Sequence, residues 1–190
     1  MVWLVVAVLA ASCAATFDPS GPCTTDGRAA GAYPDLEALV PHELGGEAAD
    51  KVDSGRNCSA AALGSLAGHD VTELRFAGST WDNGPNAGVS SAIFEAPGLE
   101  ADWVHEFYKA GAESGRSTEQ VVSSSADVGG TTRYRIDTLN GESYQSVVNW
   151  QDGERVRVVL VASFIRDTSK AAHDLVVEKV IAETIAAAPR

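Results

Sequence analysis

Residues 155–165, RVRVVLVASFI, form the densest apolar run downstream of the N-terminal leader, and this run constrains the fold more than any other feature. It is much shorter than the ~20 apolar residues that a membrane-spanning helix needs. Its valines favour the pleated geometry of a strand. An apolar run of this length is typical of a strand that is buried on at least one face. We therefore predict a central strand, flanked by partner strands in one sheet.

Turn signals divide the chain before this run into further strands. The dipeptide Asn140-Gly141 favours a two-residue hairpin, because a type I′ turn needs positive φ at both central positions. Residues 131–138 and 143–150 flank this dipeptide, and Asp152-Gly153 then precedes residues 155–165. These segments predict a three-stranded antiparallel meander.

Hydrophobic periodicity predicts the remaining elements. Apolar residues two apart indicate strands at residues 71–77 and 89–96, and helical spacing indicates a helix over residues 99–112. A last helix is expected to end near residue 187, with an apolar stripe of Val177, Val180, Ile181 and Ile185 that Leu175 and Val176 widen. Hairpins without regular βαβ alternation favour an α+β domain. We predict a mainly antiparallel sheet that has a C-terminal three-stranded meander and helices packed on it.

The N-terminal segment, residues 1–12, predicts an export signal, because its apolar core is too short to span a membrane. Small residues precede Cys13, and this resembles the lipobox of bacterial lipoproteins, whose leader is cut before a Cys that is then diacylated. Ala10 stands where that motif usually has Leu, and no Lys or Arg precedes the apolar core. We expect a lipid anchor at Cys13 on the bacterial cell membrane. Cleavage after Ala14 or Ala15 is the alternative and gives a freely secreted protein.

Small and polar residues dominate residues 13–34, which predicts a flexible tether before a single α+β domain at residues 35–190. If Cys13 carries lipid, Cys23 and Cys58 remain, and in an exported protein they are expected to form a disulfide. This bridge closes a loop of 58 − 23 = 35 residue steps and contributes about 3–4 kcal/mol in the chain-entropy account. Two unpaired thiols are the alternative.

The charge of the chain restricts its partners. Its formal net charge is −12 at pH 7, and phosphate backbones and anionic lipid headgroups repel such a protein. We therefore expect no nucleic acid partner and no membrane contact apart from the lipid at Cys13.

The long loop over residues 79–88 is the predicted ligand-binding segment, because loops on a rigid sheet tend to carry binding residues. Its candidate binding residues are Trp81, Asp82, Asn83 and Asn86. The alternative for Trp81 is packing over the core, since burial of an aromatic ring is strongly stabilising. Two further aromatic residues, Tyr144 and Trp150, are candidates for exposed ligand contacts.

The sequence contains no contiguous catalytic or cofactor motif. G-x-S-x-G, S-x-x-K, the Walker loop and G-x-G-x-x-G are all absent, and these motifs mark common nucleophiles and nucleotide cradles. The four histidines lack the spacing of metal ligands, and they are His42, His69, His105 and His173. We therefore expect no cofactor, no metal ion and no catalytic residue. A noncontiguous site of Asp, Glu and His is left open.

Several short segments carry a family resemblance. They are residues 39–46 (LVPHELGG), 93–99 (IFEAPGL) and 128–130 (VGG). Together they resemble a family of uncharacterised bacterial secreted proteins and lipoproteins over most of residues 35–187, and no activity is attached to that family. The last strand and helix also resemble the end of PsbP-like domains, which are non-enzymatic extracytoplasmic modules with a sheet between helices.

Two functions of different classes are therefore expected. The first is a membrane-anchored, extracytoplasmic binding or accessory module that is not catalytic and binds a protein or a small molecule. The alternative is a secreted hydrolase with a noncontiguous Asp, Glu and His site, which a pocket with perturbed carboxylates or histidines would favour.

Overall fold

A computed structural model of the chain describes residues 17–82, 87–115 and 118–187. The predicted export signal and the lipidation site at Cys13 lie outside these residues.

The described residues form ten strands, four α-helices and one 3-10 helix at Gly64–His69. The strands are β1 (Gly27–Ala29), β2 (Glu43–Leu44), β3 (Glu47–Ala48), β4 (Lys51–Asn57), β5 (Leu74–Asp82), β6 (Gly88–Glu95), β7 (Thr118–Val128), β8 (Thr131–Asn140), β9 (Ser143–Asp152) and β10 (Arg155–Phe164). The α-helices are α1 (Pro34–Glu37), α2 (Ala60–Leu63), α3 (Ala101–Ser114) and α4 (Lys170–Ala187).

Eight strands form one sheet in the order β1-β4-β5-β6-β10-β9-β8-β7, and every neighbouring pair is antiparallel. Strand β10 lies between β6 and β9, so the prediction of a central strand is confirmed. The meander of β8, β9 and β10 is also confirmed, and the domain is of the α+β class. Strands β2 and β3 form a separate hairpin that turns at Gly45-Gly46, whose φ angles of 60° and 86° favour glycine.

Helices cover both faces of the sheet, which explains why β10 reads as a continuous apolar run rather than an alternating one. On one face, Val156 and Val158 of β10 pack in a core cluster with Val104 of α3. On the other face, Val159 and Val161 pack with α4.

Two polar side chains of β9 fix the start of α3. The Asn149 side-chain amide donates to the Ala101 carbonyl oxygen at 2.6 Å, and the Gln151 side-chain oxygen accepts from the Ala101 N–H at 2.9 Å. The first N–H groups of a helix have no partner within the helix. Gln151 therefore satisfies one of them from a neighbouring strand.

The predicted stripe of α4 is only partly buried. Val177, Val180 and Ile181 pack on the sheet, but Ile185 is 43% exposed and Leu175 is 74% exposed. The helix is apolar over more of its circumference than the sheet covers.

Residues 17–34, the described part of the segment that the sequence predicts as a flexible tether, contact the sheet. The Arg56 side chain is 4% exposed and donates to the carbonyl oxygens of Asp18, Gly21 and Pro22 at 2.8–2.9 Å. Phe17 and Tyr33 are the only large apolar or aromatic side chains of residues 17–34, so the sequence of this arm is typical of a tether. Backbone carbonyls that bind a buried guanidinium hold it in place instead.

Two further links hold the arm. Cys23 and Cys58 form the predicted disulfide, with Cα atoms 5.5 Å apart. Strand β1 pairs with β4, and Arg28 of β1 donates to the Asp53 carboxylate, with Nε at 2.9 Å from an oxygen. Asp53 is 2% exposed, and its pairing with Arg28 satisfies a buried charge.

Candidate functional site

The predicted binding loop is shorter than its sequence indicates, because its first residues belong to β5. Strand β5 continues to Asp82, and β6 begins at Gly88. Trp81 is 7% exposed, and its indole Nε1 donates to the Glu47 carbonyl oxygen at 3.1 Å. Trp81 is therefore packed, as the alternative interpretation of this residue has it.

Of the other three candidates of that loop, the structure describes Asp82 alone. The Asp82 N–H donates to the Asp50 carboxylate at 2.8 Å, while Asn83 and Asn86 lie outside the described residues. The aromatic candidates also differ from expectation, since Trp150 is buried at 6% exposure and Tyr144 is partly buried beside His173.

One cleft, the acidic cleft, has a volume of about 1080 Å³ and lies where β6 ends and β9 turns into β10. Its charged lining residues are Asp70, Glu73, Arg75, Glu95, Glu100 and Glu154. The guanidinium of Arg75 already pairs with Glu95 at 3.1 Å. The net charge of this cleft is negative, as is the net charge of the whole chain. The charge of the cleft therefore does not identify a particular ligand.

The second cleft, the helix–sheet cleft, has a volume of about 650 Å³ and lies between the C-terminal half of α3 and strands β8 to β10. It exists because of the side chains that α3 carries. Trp103, Phe107 and Tyr108 pack on the sheet along the first part of the helix. Residues 110–115, AGAESG, then provide no large side chain, so the sheet beneath them stays uncovered.

Apolar and uncharged polar side chains line the helix–sheet cleft. Its large apolar and aromatic residues are Phe107, Tyr108, Ile136, Val147 and Leu160. Its polar residues are Ser65, Ser114, Thr118, Thr138, Asn140 and Gln145. None of the described residues that line it carries a charge.

Tyr108 lines this cleft and carries a hydroxyl group. Its ring stacks on Phe94 with centroids 6.2 Å apart and contacts Phe107 edge-on at 5.4 Å. Burial raises the pKa of the Tyr108 phenol above its ordinary value of 10.0. The phenol is therefore protonated at neutral pH, and it makes no hydrogen bond to a described residue. A ligand can use it as a donor or an acceptor.

Two amides form the polar end of the cleft. Asn140 accepts hydrogen bonds from the N–H and the hydroxyl of Ser143, each at 3.0 Å, and Gln145 donates to the Ser143 hydroxyl at 3.2 Å. These bonds orient both amides. Nδ2 of Asn140 and Oε1 of Gln145 make no hydrogen bond to any residue that the structure describes.

A buried polar network lies beneath α4, on the opposite face of the sheet. His173 is 0% exposed, with Nε2 at 2.9 Å from the Ser146 hydroxyl oxygen and Nδ1 at 2.9 Å from that of Ser163. The Ser146 hydroxyl also contacts the Asp137 carboxylate. Because an ionised carboxylate only accepts, Ser146 donates to Asp137, His173 Nε2–H donates to Ser146, and Ser163 donates to Nδ1.

Charged groups surround this network. Arg135 donates to Asp137 from Nε at 2.9 Å, and both Arg135 and Lys170 contact Asp174. Burial alone would raise the pKa of Asp137, but the hydrogen bonds from Arg135 and Ser146 hold that pKa below its ordinary value of 3.8. Burial, reinforced by Lys170, holds the pKa of His173 below 6.5. The network is therefore an ionised carboxylate joined to a neutral imidazole.

The other histidines make separate contacts. His69 Nε2 lies 2.9 Å from a Glu106 carboxylate oxygen, and its ring stacks on Trp103 with centroids 4.5 Å apart. His105 Nε2 lies 2.7 Å from the Ser123 hydroxyl oxygen. Across residues 17–82, 87–115 and 118–187, no three His, Cys, Asp or Glu residues lie close enough together to hold a metal ion.

None of the helices in this part of the chain is both long and apolar enough to cross a membrane. Comparisons of the chain with protein-family models and with curated proteins gave no match.

Sequence reasoning missed the helix–sheet cleft. The available signal was the run of small residues at 110–115, directly after Phe107 and Tyr108 in a helix that was predicted to lie on the sheet. A helix that changes from large to small side chains while it crosses a sheet leaves a gap, because interiors otherwise pack densely.

Proposed function

We propose that this chain is a non-catalytic, extracytoplasmic binding module that holds a small uncharged organic molecule in the helix–sheet cleft. The observation that carries the proposal is the lack of charge among the described lining residues, in a chain of which 21% is charged. A charged ligand would lose hydration in this cleft without gaining a counter-charge. A neutral ligand avoids that cost.

The size and composition of the cleft support the same class of ligand. Its volume of about 650 Å³ falls within the range of about 300–1,000 Å³ that is typical of small-molecule sites. Val147 and Leu160 offer an apolar floor, while the amides of Asn140 and Gln145 and the Tyr108 hydroxyl offer hydrogen bonds. A ligand with an apolar body and a few neutral polar groups matches this arrangement.

The proposed location is outside the cytoplasm, with a lipid anchor at Cys13 and free secretion as the alternative. The N-terminal sequence supports export. The disulfide between Cys23 and Cys58 supports an oxidising compartment.

Binding of a neutral fluorescent probe tests the proposal. N-phenyl-1-naphthylamine is uncharged and becomes fluorescent in apolar surroundings, and we expect the chain to bind it at one saturable site. The substitution Gly111→Phe should abolish this binding, because a side chain at Gly111 meets no atom within 4 Å and would grow into the cleft that Gly111 lines.

Gly68→Phe is the matched control. Gly68 also has open space around its Cβ position, and it does not line the helix–sheet cleft. Both variants should remain folded, since neither new side chain is forced against a neighbour. Equal probe binding by the wild type and Gly111→Phe would contradict the proposal.

The alternative, a hydrolase, rests on the contact of 2.9 Å between the Ser163 hydroxyl and Nδ1 of His173, which resembles a nucleophile beside its base. Two observations weigh against it. His173 is fully buried, and neither of the two clefts described above is lined by Ser163, Ser146 or His173. The test is hydrolysis of p-nitrophenyl acetate by the wild type and by Ser163→Ala. Hydrolysis that is lost in Ser163→Ala, while binding of the fluorescent probe is unchanged, would favour the hydrolase.

A further inference from the structure

The two outermost strands of the sheet differ greatly in length. Strand β1 has 3 residues, and its Arg28 pairs with Asp53. Strand β7, at the other edge, has 11 residues, and none of the described strands pairs with its outer side. Native proteins usually protect long edges with Lys, Pro or bulges, because unpaired backbone groups can bind another strand.

Strand β7 lacks such protection over most of its length. Residues 120–126, QVVSSSA, contain no charged residue and no proline. The one irregularity in its pairing lies at the first residues, between Thr118 and Gln120. Val122 is 45% exposed in the middle of this segment. The acidic residues Glu119 and Asp127 stand at its two ends.

The hairpin turn defines which backbone groups point outward. Gly129-Gly130 joins β7 to β8 as a two-residue turn, so the closing pair, Val128 and Thr131, is hydrogen-bonded. In an antiparallel pair, alternate residues bond to the partner strand. The residues that direct their N–H and C=O groups away from β8 are therefore Val121, Ser123, Ser125 and Asp127.

We propose that the outer edge of β7 binds the same edge of a second copy of this chain, antiparallel and centred on Val122. Centring the pair on Ser123 would place Glu119 opposite Asp127 of the other copy, and such like-charge pairs are unfavourable. Centring it on Val122 places Glu119 opposite Ser125.

The register centred on Val122 also provides hydrogen-bond partners for the outward N–H and C=O groups of β7. It pairs Val121 with Ser123 of the other copy, and both residues direct their backbone groups outward. The two Val122 side chains then meet at a non-hydrogen-bonded position, where Cα atoms are about 4.5 Å apart and side chains touch. Each copy thereby covers the exposed Val122 of the other.

Disulfide trapping tests this register in the full chain carrying Cys13→Ser, so that the introduced Cys is the only free thiol. Val122→Cys should form a covalent dimer under mild oxidation. Ala126→Cys is the control, because the two residues at position 126 would be about 26 Å apart at 3.3 Å per residue. Trapping by Ala126→Cys but not by Val122→Cys would overturn the proposed register.

Sedimentation over a range of concentrations tests the dimer without a crosslink. We expect twice the monomer mass of 19.8 kDa for the wild type and the monomer mass for Val122→Lys, which places two ammonium groups together. Val128→Lys should remain dimeric, because Val128 is 43% exposed but lies beyond the paired segment. A wild-type chain that is monomeric at every concentration would overturn the proposal and leave this edge to a strand of another protein.

Discussion

Acidification should destabilise the fold through His173. The imidazole is fully buried between Ser146 and Ser163 and donates toward the ionised Asp137 through Ser146. Burial holds its pKa below the ordinary value of 6.5, so the neutral form is favoured in the folded state. Its contribution to stability is therefore complete above pH 6.5 and is lost as pH falls toward the lower pKa of the folded state.

The size of the effect follows from proton linkage. A single histidine of this kind lowers the free energy of unfolding by at most about 1.4 kcal/mol per pH unit below 6.5. Between about pH 7 and about pH 5.5 the loss reaches at most roughly 1.3 kcal/mol, which corresponds to about 3–5 °C in Tm for a domain of this size. His105 adds a second contribution of the same sign, because burial and Lys109 also lower its pKa.

Urea denaturation followed by circular dichroism, repeated at several pH values, measures this loss. His173→Gln should make the dependence on pH between about pH 5 and 6.5 shallower, because an amide can hydrogen-bond to both serines without titrating. The contribution of His105 should remain. His42→Gln is the control, since His42 is exposed. An equal fall in the free energy of unfolding of His173→Gln and the wild type would refute this reasoning. A free energy of unfolding that rises on acidification would refute it as well. The carboxylates act at lower pH, because the pKa values of Asp53, Asp137 and Asp174 are held below 3.8.

Two further predictions concern the N-terminal arm. Replacing both Cys23 and Cys58 by Ser should lower the free energy of unfolding by about 4 kcal/mol. This value follows from the 35-residue separation of the two residues and the chain-entropy relation. A loss below about 1 kcal/mol in urea denaturation would show that other contacts hold the arm. Arg56→Lys should cost about 2–5 kcal/mol, because one ammonium cannot replace a buried guanidinium that binds three carbonyls. Limited proteolysis should then cut residues 17–28 faster, whereas Arg166→Lys, at a side chain that is 76% exposed, should leave the rate unchanged.

The sequence specifies the C-terminal half of the sheet through local signals. The valine run at β10 indicates its strand without help from distant residues, and that prediction is confirmed. The hairpin between β8 and β9 also forms, but the predicted type I′ turn at Asn140-Gly141 is wrong. Asn140 pairs with Ser143, so the turn residues are Gly141 and Glu142, and neither Asn140 nor Gly141 has positive φ. Strand β4 is different, because KVDSGRN reads as a loop. Its polar residues Asp53 and Arg56 are buried at 2% and 4% exposure because the N-terminal arm covers them. A pattern based on hydrophobicity cannot detect a strand whose covering layer is held by ion pairs and carbonyls.

Strand β5 and the helix–sheet cleft show two other limits. The end of β5 was predicted as loop, because residues 78–80, GST, are small and polar, yet Ser79 is fully buried. The cleft depends on side chains that are missing from the end of α3, and residues of three distant strands form its floor. Their proximity follows from sheet order, which local patterns do not specify.

The most direct test of the proposed function is an NMR titration of the ¹⁵N-labelled chain with N-phenyl-1-naphthylamine. Binding in the helix–sheet cleft predicts saturable amide shifts at Gly111, Thr138, Val147 and Leu160, which line it. It also predicts unchanged amides at Asp70 and Glu154 in the acidic cleft and no shifts in Gly111→Phe. Shifts confined to the acidic cleft or to the outer surface of α4 would contradict the proposal.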